Sequence, residues 1–208
     1  MNLCIDQGNS RTKVALMTDE GKMIKDFIYR QFSSADVERL FELYDISDSI
    51  ISSVVNIEAA VGAKHLCPNE NLLIIDVGSA ITYDFVSEQG EYLGGNIAPG
   101  LKMRFTMLHR MTKKLPQVEA DENELIPLFG KNTRDAIAAG VVRGVAYEVK
   151  GYMRTLKEKT QHFQTFITGG HAAYILNNVR KSRTEKRDLH YEKHLVLIGL
   201  NTILCANK

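Results

Sequence analysis

Residues 76–84 read DVGSAITYD and follow directly on the apolar run LLII at 72–75. An apolar strand that ends in Asp76 holds a carboxylate in a fixed place, where it can bind a metal ion or a metal-bound water. Gly78 lacks a Cβ, so the chain can take a positive φ there and the following amides can turn towards an anion. The stretch therefore predicts a phosphate-binding loop, although a strand followed by Asp and Gly is also an ordinary turn.

A second copy of this pattern lies near the N-terminus, where residues 6–13 read DQGNSRTK after the apolar residues 3–5. Asp6 and Gly8 repeat the acidic residue and the glycine at the same spacing. Two such loops, one in each half of the chain, resemble the arrangement of the actin-like sugar and acetate kinases, in which two lobes clamp a nucleotide. We therefore predict an α/β protein with the two-lobed actin-like ATPase (ribonuclease H-like) fold, its mixed sheets flanked by helices.

Length and charge limit the possible domain organisation and the possible partners of the chain. The chain has 208 residues, enough for two lobes with separate cores, and we predict these lobes at 1–66 and 67–208. Its 26 basic and 25 acidic residues nearly balance, so we expect small-molecule partners and no nucleic acid. No apolar run approaches the roughly 18 residues of a spanning helix. We also find no signal-peptide pattern, and we expect a cytoplasmic protein without a membrane partner.

Hydrophobic periodicity predicts the elements around these loops. Short apolar runs separated by turn residues predict strands at 3–5, 14–17, 23–29, 50–55, 80–86 and 92–97. Apolar residues at helical spacing predict helices at 35–44, 57–66, 101–111 and 195–205. The charged stretch 180–193 is interpreted as a solvated connection.

Two further glycine-rich turns precede predicted helices. Residues 94–100 read GGNIAPG, and the amides of a helix that starts at Leu101 would face this loop and could bind an anion. A plain strand-to-helix connection explains this loop equally well. Residues 167–170 read ITGG and end a predicted buried strand. In the actin-like kinases, a glycine pair at this point lets the backbone pass beside the adenosine.

The stretch 130–153 predicts one more helix. Thr133 is a suitable N-cap residue, and small and apolar residues follow as a stripe along the predicted helix: Ala136, Ile137, Gly140, Val141, Gly144 and Val145. Such a stripe packs closely against another helix. It serves either the core of a lobe or a subunit interface, and the sequence alone does not separate the two.

Together these motifs resemble those of the type III pantothenate kinases. Five of them occur in the family's order over nearly the whole chain: DQGNSRTK, DVGSAITYD, LGGNIAPG, GKNTRDAIAAG and ITGG. The resemblance implies an actin-like homodimer that transfers the γ-phosphate of ATP to the primary hydroxyl of pantothenate. This reaction is the first step of coenzyme A synthesis, and the resemblance implies that it uses Mg²⁺ and either K⁺ or NH₄⁺.

The resemblance also implies roles for single residues. Asp76 coordinates the monovalent cation, and Thr133 contacts pantothenate. Ser79, at a position where relatives usually have threonine, contacts ATP. The remaining residues implied to bind ATP are those of the first loop: Asp6, Gln7, Gly8, Asn9, Ser10, Arg11, Thr12 and Lys13.

One part of the family pattern is missing. Relatives carry a G-x-D-R element just before the helix that precedes the second loop; its Asp is the proposed base and its Arg binds substrate. Here SSVVN at 52–56 runs straight into the helix predicted from Ile57, and G-x-D-R occurs nowhere in the chain. Either the protein has lost a segment between Asn56 and Ile57, or the natural polypeptide contains a stretch that this sequence omits. The catalytic base stays unassigned, and Asp84 is the first carboxylate to test.

Two other functions therefore remain open. The chain could be a catalytically silent relative that binds nucleotide as a regulatory protein, or another small-molecule kinase of the actin-like fold. All three hypotheses predict nucleotide binding, because they share the two loops. Turnover with pantothenate separates them.

Overall fold

The computed structural model describes residues 1–8, 10–52, 57–119, 121–122, 126–160, 162–179 and 188–208. These residues form two compact units. Unit 1 comprises Met1–Pro68 and His194–Lys208, and unit 2 comprises Asn69–Lys193. The predicted first lobe, 1–66, ends beside the observed break. The predicted second lobe, 67–208, is corrected at its end, because the C-terminal helix belongs to unit 1.

The helices and strands agree closely with the hydrophobic periodicity. The strands of the described residues are β1 (Asn2–Gln7), β2 (Thr12–Met17), β3 (Met23–Tyr29), β4 (Asp48–Ser52), β5 (Leu72–Val77), β6 (Ala80–Val86), β7 (Tyr92–Pro99), β8 (Gln164–Thr168) and β9 (Leu189–Tyr191). The helices are α1 (Ser34–Leu43), α2 (Ile57–Leu66), α3 (Leu101–Arg110), α4 (Thr133–Lys159), α5 (Ala172–Val179) and α6 (Leu195–Ala206). None of these helices is both long and apolar enough to cross a membrane.

Unit 1 is built on a four-stranded sheet of order β3-β2-β1-β4. β1 runs antiparallel to β2 and parallel to β4. One face of the sheet carries an apolar cluster that includes a residue of α1: Leu3, Ile5, Val14, Leu16 and Leu40. α6 packs against the strands and against α2. The four-stranded sheet therefore holds the first loop, residues 6–13, between its two central strands.

Two kinds of contact explain why α6 joins unit 1. A Cβ added at Gly62 of α2 would meet the backbone of Leu195, and one added at Gly199 of α6 would meet the backbone of Glu58, so glycine at both positions lets the helices touch. In addition, the buried Asn2 amide donates a hydrogen bond of 2.7 Å to the side-chain oxygen of Asn201. Both contacts join residues far apart in the chain, which local periodicity does not reveal.

Unit 2 repeats the same plan in a five-stranded sheet of order β7-β6-β5-β8-β9. β5 runs antiparallel to β6 and parallel to β8. One face of the sheet and the helices α3, α4 and α5 share a large apolar cluster. The strand β5 contributes Leu73, Ile75 and Val77 to this cluster. Part of the stretch interpreted as a solvated connection is the strand β9, which corrects that interpretation; residues 180–187 lie outside the described residues.

The two sheets match residue by residue at their central strands. Asp6 at the end of β1 lies beside Ser52 of β4, and Asp76 at the end of β5 lies beside Thr168 of β8. In unit 2 the chain continues through α5 into the fifth strand, β9. In the described part of unit 1 no fifth strand follows β4. Among the described residues, the sheet of unit 1 therefore has one strand fewer than the sheet of unit 2. The difference follows β4, next to the junction where the sequence lacks G-x-D-R.

Candidate active site

The first loop is a hairpin turn between β1 and β2. Asp6 and Lys13 lie opposite each other across the two strands, with the Lys13 Nζ 3.9 Å from an Asp6 carboxylate oxygen. The amide of Gly8 donates a hydrogen bond of 3.1 Å to the Arg11 carbonyl. A Cβ on Gly8 would lie 3.1 Å from that carbonyl oxygen. The close turn, rather than an unusual φ, therefore favours glycine at this position.

Neither Gly8 nor Gly78 uses the positive φ that glycine permits. Among the described residues, positive φ values occur at four other glycines: Gly21, Gly90, Gly94 and Gly169. Both loops close as hairpins through a backbone hydrogen bond from the glycine amide, and this turn needs no left-handed residue. The exposed members of the first loop are Gln7, Gly8, Ser10 and Arg11, Thr12 is buried, and Asn9 lies outside the described residues.

A second carboxylate accompanies Asp6 at the end of the first sheet. The Ser52 hydroxyl, beside Asp6 in the register, donates a hydrogen bond of 2.6 Å to the Glu58 carboxylate in the first turn of α2. Burial raises the pKa of Asp6; the Lys13 charge opposes this rise, and the Glu58 charge adds to it. The carboxyl ends of two parallel strands thus bring two carboxylates and one ammonium group together.

The second loop is also a hairpin, between β5 and β6. Asp76 is a half-buried residue near the end of β5, and the amide of Gly78 donates a hydrogen bond of 3.0 Å to the Ala80 carbonyl. The GGNIAPG turn contacts this loop, since the Gly100 amide donates a hydrogen bond of 3.2 Å to the Ser79 carbonyl. A Cβ on Gly100 would collide with the loop backbone. Glycine at this position therefore permits the contact.

The ITGG turn meets the same loop from the other side. Gly169 has a φ of +98°, and a Cβ there would collide with the Asp76 carboxylate and the Val77 backbone. The His171 amide donates a hydrogen bond of 3.1 Å to the Val77 carbonyl. The GGNIAPG and ITGG turns thus both pack against the second loop at the carboxyl end of β5, the first at Ser79 and the second at Asp76. Ligands bind at this end of the strands in open α/β sheets. The sequence predicted each turn, and the structure of unit 2 brings them together.

Thr133 lies in an open groove of unit 2, with a volume of about 1050 Å³. The groove runs from Pro99, next to Gly100, along α3 and the start of α4. Thr133 is exposed and is the first residue of α4 rather than its N-cap; Asn132 is the cap, since its side-chain oxygen accepts a hydrogen bond of 2.9 Å from the Asp135 amide. Asn132 takes the cap position because its side-chain oxygen reaches a free N–H group of the first turn.

A charged network supports one wall of this groove. The Arg104 guanidinium donates two hydrogen bonds of 2.6 and 2.8 Å to the Glu148 carboxylate, and a third of 2.7 Å to the Pro99 carbonyl. The bond to Glu148 raises the pKa of Arg104, while burial and the Glu148 charge raise the pKa of Tyr83, whose hydroxyl also donates to Glu148. Arg104 thereby ties the GGNIAPG turn to α4.

Comparison with known proteins identifies the family. The family model for type III pantothenate kinase matches residues 54–155. A type III pantothenate kinase from Phocaeicola vulgatus is 32% identical over 248 residues, which cover 100% of this chain and 99% of that relative. One from Bacteroides fragilis is 33% identical over 249 residues, which cover 100% of this chain and 98% of that relative. The chain belongs to the type III pantothenate kinase family.

Solved structures support the fold of this pantothenate kinase family member. The (R)-2-hydroxyglutaryl-CoA dehydratase component A from Acidaminococcus fermentans superimposes with a TM-score of 0.59, covering 99% of this chain and 98% of that one. Its sequence identity of 13% means that the likeness concerns the fold alone. The predicted α/β class with an actin-like ATPase fold is confirmed.

The same alignments bear on the missing G-x-D-R element of this kinase family. They run over 248 and 249 positions, whereas this chain has 208 residues, so the relatives contain residues that this chain lacks. The family match begins at residue 54, beside the junction of residues 56 and 57. Both facts agree with the smaller number of strands in the described part of the first sheet.

Sequence reasoning missed two charged residues of this pantothenate kinase site. Glu58 stands in the first turn of a helix, where acidic residues are common for electrostatic reasons, so nothing in the sequence marked it. Arg104 lies in the first turns of the helix that follows GGNIAPG. This nearness to the motif was the one sequence signal that could have marked Arg104 as a residue of the site. Their partners, Ser52 and Glu148, became apparent only from the folded structure.

The raised pKa of Asp6 predicts a pH-dependent gain of stability in the kinase when this carboxylate is removed. Because the pKa of Asp6 is raised in the folded protein, the Asp6 carboxyl contributes to stability below its ordinary pKa of 3.8. This contribution is lost as the pH rises through the folded value. We expect Asp6→Asn to raise the Tm at neutral pH and to lose this advantage in acid. Thermal melts across pH check this.

Asp36→Asn is the matched control with the opposite sign. Hydrogen bonds from Ser33 lower the pKa of Asp36, whose contribution to stability is therefore present above the ordinary pKa and is lost as the pH falls through the folded value. We expect Asp36→Asn to lower the Tm at neutral pH and to approach the parent protein in acid. Asp6→Asn melting below the parent at neutral pH would contradict the electrostatic account of the first loop.

Proposed function

We propose that this chain transfers the γ-phosphoryl group of ATP to the primary hydroxyl of pantothenate, the first step of coenzyme A synthesis. The observation that carries the proposal is the packing of the GGNIAPG and ITGG turns against the second loop in a chain of the type III pantothenate kinase family. Phosphoryl transfer depends mainly on positioning and on neutralising charge. In unit 2 the closely packed glycine turns are suited to positioning, and in unit 1 the Lys13 ammonium is suited to neutralising charge.

The two loops fit the ions that the family resemblance implies. Mg²⁺ usually takes one or two protein carboxylates and completes its shell with phosphate oxygens and water. Asp6 offers such a carboxylate at the first loop. At the second loop, the Asp76 carboxylate lies against the backbone of Gly169, and this oxygen-rich turn is suited to K⁺ or NH₄⁺. Magnesium, when bound, neutralises the charge of the phosphates during transfer.

The groove beside the second loop suits pantothenate. Pantothenate combines an apolar dimethyl group with a hydroxyl, an amide and a carboxylate. The groove offers methionine side chains from α3 along one wall and the polar residues Lys131, Asn132 and Thr133 at the start of α4. Thr133 is exposed there and can donate a hydrogen bond to the substrate. This fit supports the role that the family resemblance implies for Thr133.

Nucleotide binding is the first test of the proposal. We expect Asp6→Asn and Gly8→Val each to weaken MgATP binding about tenfold or more, because hydrogen bonds to charged groups contribute about 1.5–3 kcal/mol. Glu42→Gln, at an exposed position of α1, is the matched control and should bind MgATP as the parent does. Calorimetric titration gives the dissociation constants. Unchanged MgATP affinity in both loop variants would refute this assignment of the first loop.

We further propose that the protein acts as a homodimer through the groove face of α4. The predicted stripe divides in the structure: Ile137, Val141 and Val145 are buried in unit 2, whereas Ala136 and Gly140 are exposed in the groove. Large apolar side chains also stay exposed in the groove: Met103 and Met107 of α3 and Met111 directly after it. Leu128 and Phe129, in the segment before α4, are exposed as well. An exposed apolar patch of this kind is typical of a protein contact.

The homodimer predicts a specific effect of one substitution. A Cβ at Gly140 would meet nothing within 4 Å in this chain, so Gly140→Leu should leave the subunit folded but obstruct the contact with its partner. Gly151→Leu is the control, since Gly151 of the same helix is equally open and does not line the groove. Sedimentation at micromolar concentration should show a smaller dimer fraction for Gly140→Leu only. A monomeric parent protein would contradict the proposal.

One observation favours a second candidate function. The chain lacks the G-x-D-R element whose Asp is the proposed base in relatives, which would suit a silent relative that binds nucleotide without turnover. Such a protein would bind MgATP, and its affinity would fall in the same two loop variants, Asp6→Asn and Gly8→Val. It would form no phosphorylated pantothenate.

The cytoplasmic location of the protein stays a prediction.

A further inference from the structure

The groove of unit 2 has one end beside the second loop. Pro99 and Arg104 line the groove there, and Gly100, which follows Pro99, donates its hydrogen bond to the Ser79 carbonyl of that loop. α3 forms one wall of the groove, and the start of α4, as far as Val141, forms the other. The distance between these two helices therefore determines the width of the groove.

Arg104 connects the two walls at this end. From α3, its Nη1 and Nη2 donate hydrogen bonds of 2.6 and 2.8 Å to the two carboxylate oxygens of Glu148 on α4. A bidentate pair of this kind fixes the orientation of the groups it joins as well as their distance. The Arg104 Nε donates a third bond, of 2.7 Å, to the Pro99 carbonyl of the GGNIAPG turn. One planar guanidinium group thus connects α3, α4 and the turn.

Glu148 is also held from the sheet of unit 2. The Tyr83 hydroxyl donates a hydrogen bond of 3.2 Å to its Oε2. The Tyr83 ring stacks on Tyr152 of α4, with 4.3 Å between the ring centroids. Tyr83 belongs to β6, the strand that follows the second loop. The connection from Arg104 therefore ends on a carboxylate whose position is fixed.

The Arg104 side chain is largely shielded from solvent. It is 19% exposed, against 38% for Glu148, so water screens this pair less than it screens an ion pair on the open surface. Glu148 is not one of the described residues that line the groove. An effect of Glu148 on a molecule in the groove must therefore pass through Arg104 and the spacing of the helices.

We propose that Arg104 is a positioning residue that fixes the width of the groove for pantothenate at the end beside the second loop. It acts by binding Glu148 and the Pro99 carbonyl. Without Arg104, the GGNIAPG turn keeps its pairing with β6, where Ala80 lies opposite Pro99, so the second loop keeps its support. α4 loses its connection to the turn, and the defect falls on pantothenate binding. The identity of the bound molecule rests on the proposed function.

Arg104→Met tests this role, because methionine is unbranched and apolar and cannot donate a hydrogen bond. We expect the KM for pantothenate to rise about tenfold or more, since hydrogen bonds to charged groups commonly contribute this much. The value of kcat and the MgATP dissociation constant should stay within about twofold of the parent, as for a loss of substrate binding alone. A purely structural defect would instead lower the maximal rate through loss of folded protein and leave the KM unchanged.

Lys102→Met is the matched control. Lys102 is an exposed residue of α3 and does not line the groove, so its replacement removes a positive charge from the same helix without touching the connection to α4. The KM for pantothenate and kcat should both equal those of the parent. A rise in KM equal to that of Arg104→Met would show that the charge of α3 matters and not the connection, and would overturn the role of Arg104.

Glu148→Gln tests the other end of the connection and covers the case in which Arg104→Met fails to fold. Glutamine keeps the shape and one acceptor oxygen but replaces the second acceptor with a donor, so one of the two bonds from Arg104 is lost. The KM for pantothenate should rise by a smaller factor than in Arg104→Met. In the double variant the two effects should not add, because both substitutions break the same connection. Fully additive effects, or an unchanged KM in a folded Glu148→Gln, would overturn the proposal.

Methyl NMR with isotope-labelled methionine measures pantothenate binding without turnover. Met103, Met107 and Met111 line the groove, so their methyl signals should shift saturably as pantothenate is added. Saturation should need about tenfold more pantothenate in Arg104→Met than in the parent. An unchanged dissociation constant in a folded Arg104→Met would overturn the role of Arg104 while the proposed function stands. Neither shifts nor phosphorylated pantothenate in the parent would overturn the proposed function, and the role of Arg104 with it.

Discussion

Replacing Asp76 with Ala is expected to abolish the dependence of turnover on K⁺ or NH₄⁺ together with most of the activity. The ITGG turn packs directly against the Asp76 carboxylate, and the GGNIAPG turn packs against the same loop at Ser79. In the role proposed for Asp76, its removal takes away the anionic ligand of the cation, and the loss of one such electrostatic group typically costs about 10² to 10³ in kcat. Initial rates measured against K⁺ concentration show the effect.

Glu91→Gln serves as the matched control for this variant. Glu91 is exposed in the turn between β6 and β7, so its replacement should leave the rate and its K⁺ dependence unchanged. Melting curves confirm that both variants are folded. Full K⁺ stimulation of a folded Asp76→Ala would show that the cation binds elsewhere, and the account of the second loop would have to be abandoned.

Gly169→Ala is expected to damage both stability and nucleotide binding. The φ of +98° costs a residue with a Cβ about 1–2 kcal/mol. The added Cβ would also collide with the Asp76 carboxylate and the Val77 backbone, and overpacking of this kind typically costs a further 1–3 kcal/mol. Because the collision moves Asp76, MgATP binding should weaken as well. Denaturant unfolding and calorimetric titration measure the two effects.

Two other glycines separate the causes of this effect. Gly94→Ala introduces the same kind of strain at a φ of +111° but meets nothing within 4 Å, so it should cost stability and leave the second loop intact. Gly170→Ala meets nothing within 4 Å and carries no positive φ, so it should be nearly neutral. If all three variants behaved alike, the close approach of the ITGG turn to Asp76 would be disproved.

Much of the fold follows from local sequence patterns. The three-strand meanders and most helices were predictable, because their apolar residues recur at strand or helix spacing. Strand β9 was not, since its three residues lie in a charged stretch with no alternating pattern. The placement of α6 in unit 1 depends on contacts such as Asn2 with Asn201, which join the two ends of the chain. No local pattern encodes such a pairing.

The site was predictable in its motifs and less so in its details. The acidic residue and glycine of each loop marked the turns but not how the turns close, and neither Gly8 nor Gly78 uses the positive φ that glycine permits. The packing of the GGNIAPG and ITGG turns against the second loop depends on the order of the strands, which only the folded sheet reveals. Glu58 is hidden for a similar reason, because its partner Ser52 belongs to another element.

The most direct test of the proposed function is product formation by a polypeptide whose intact mass is confirmed. The chain of 208 residues has a mass of 23.4 kDa, and a heavier natural protein would restore the missing segment. The confirmed protein is incubated with MgATP, K⁺ and pantothenate, and mass spectrometry measures phosphorylated pantothenate while a coupled assay measures ADP. We predict that both products accumulate in equal amounts and only when pantothenate is present. Tight MgATP binding without phosphorylated pantothenate would contradict the proposal and favour the silent relative.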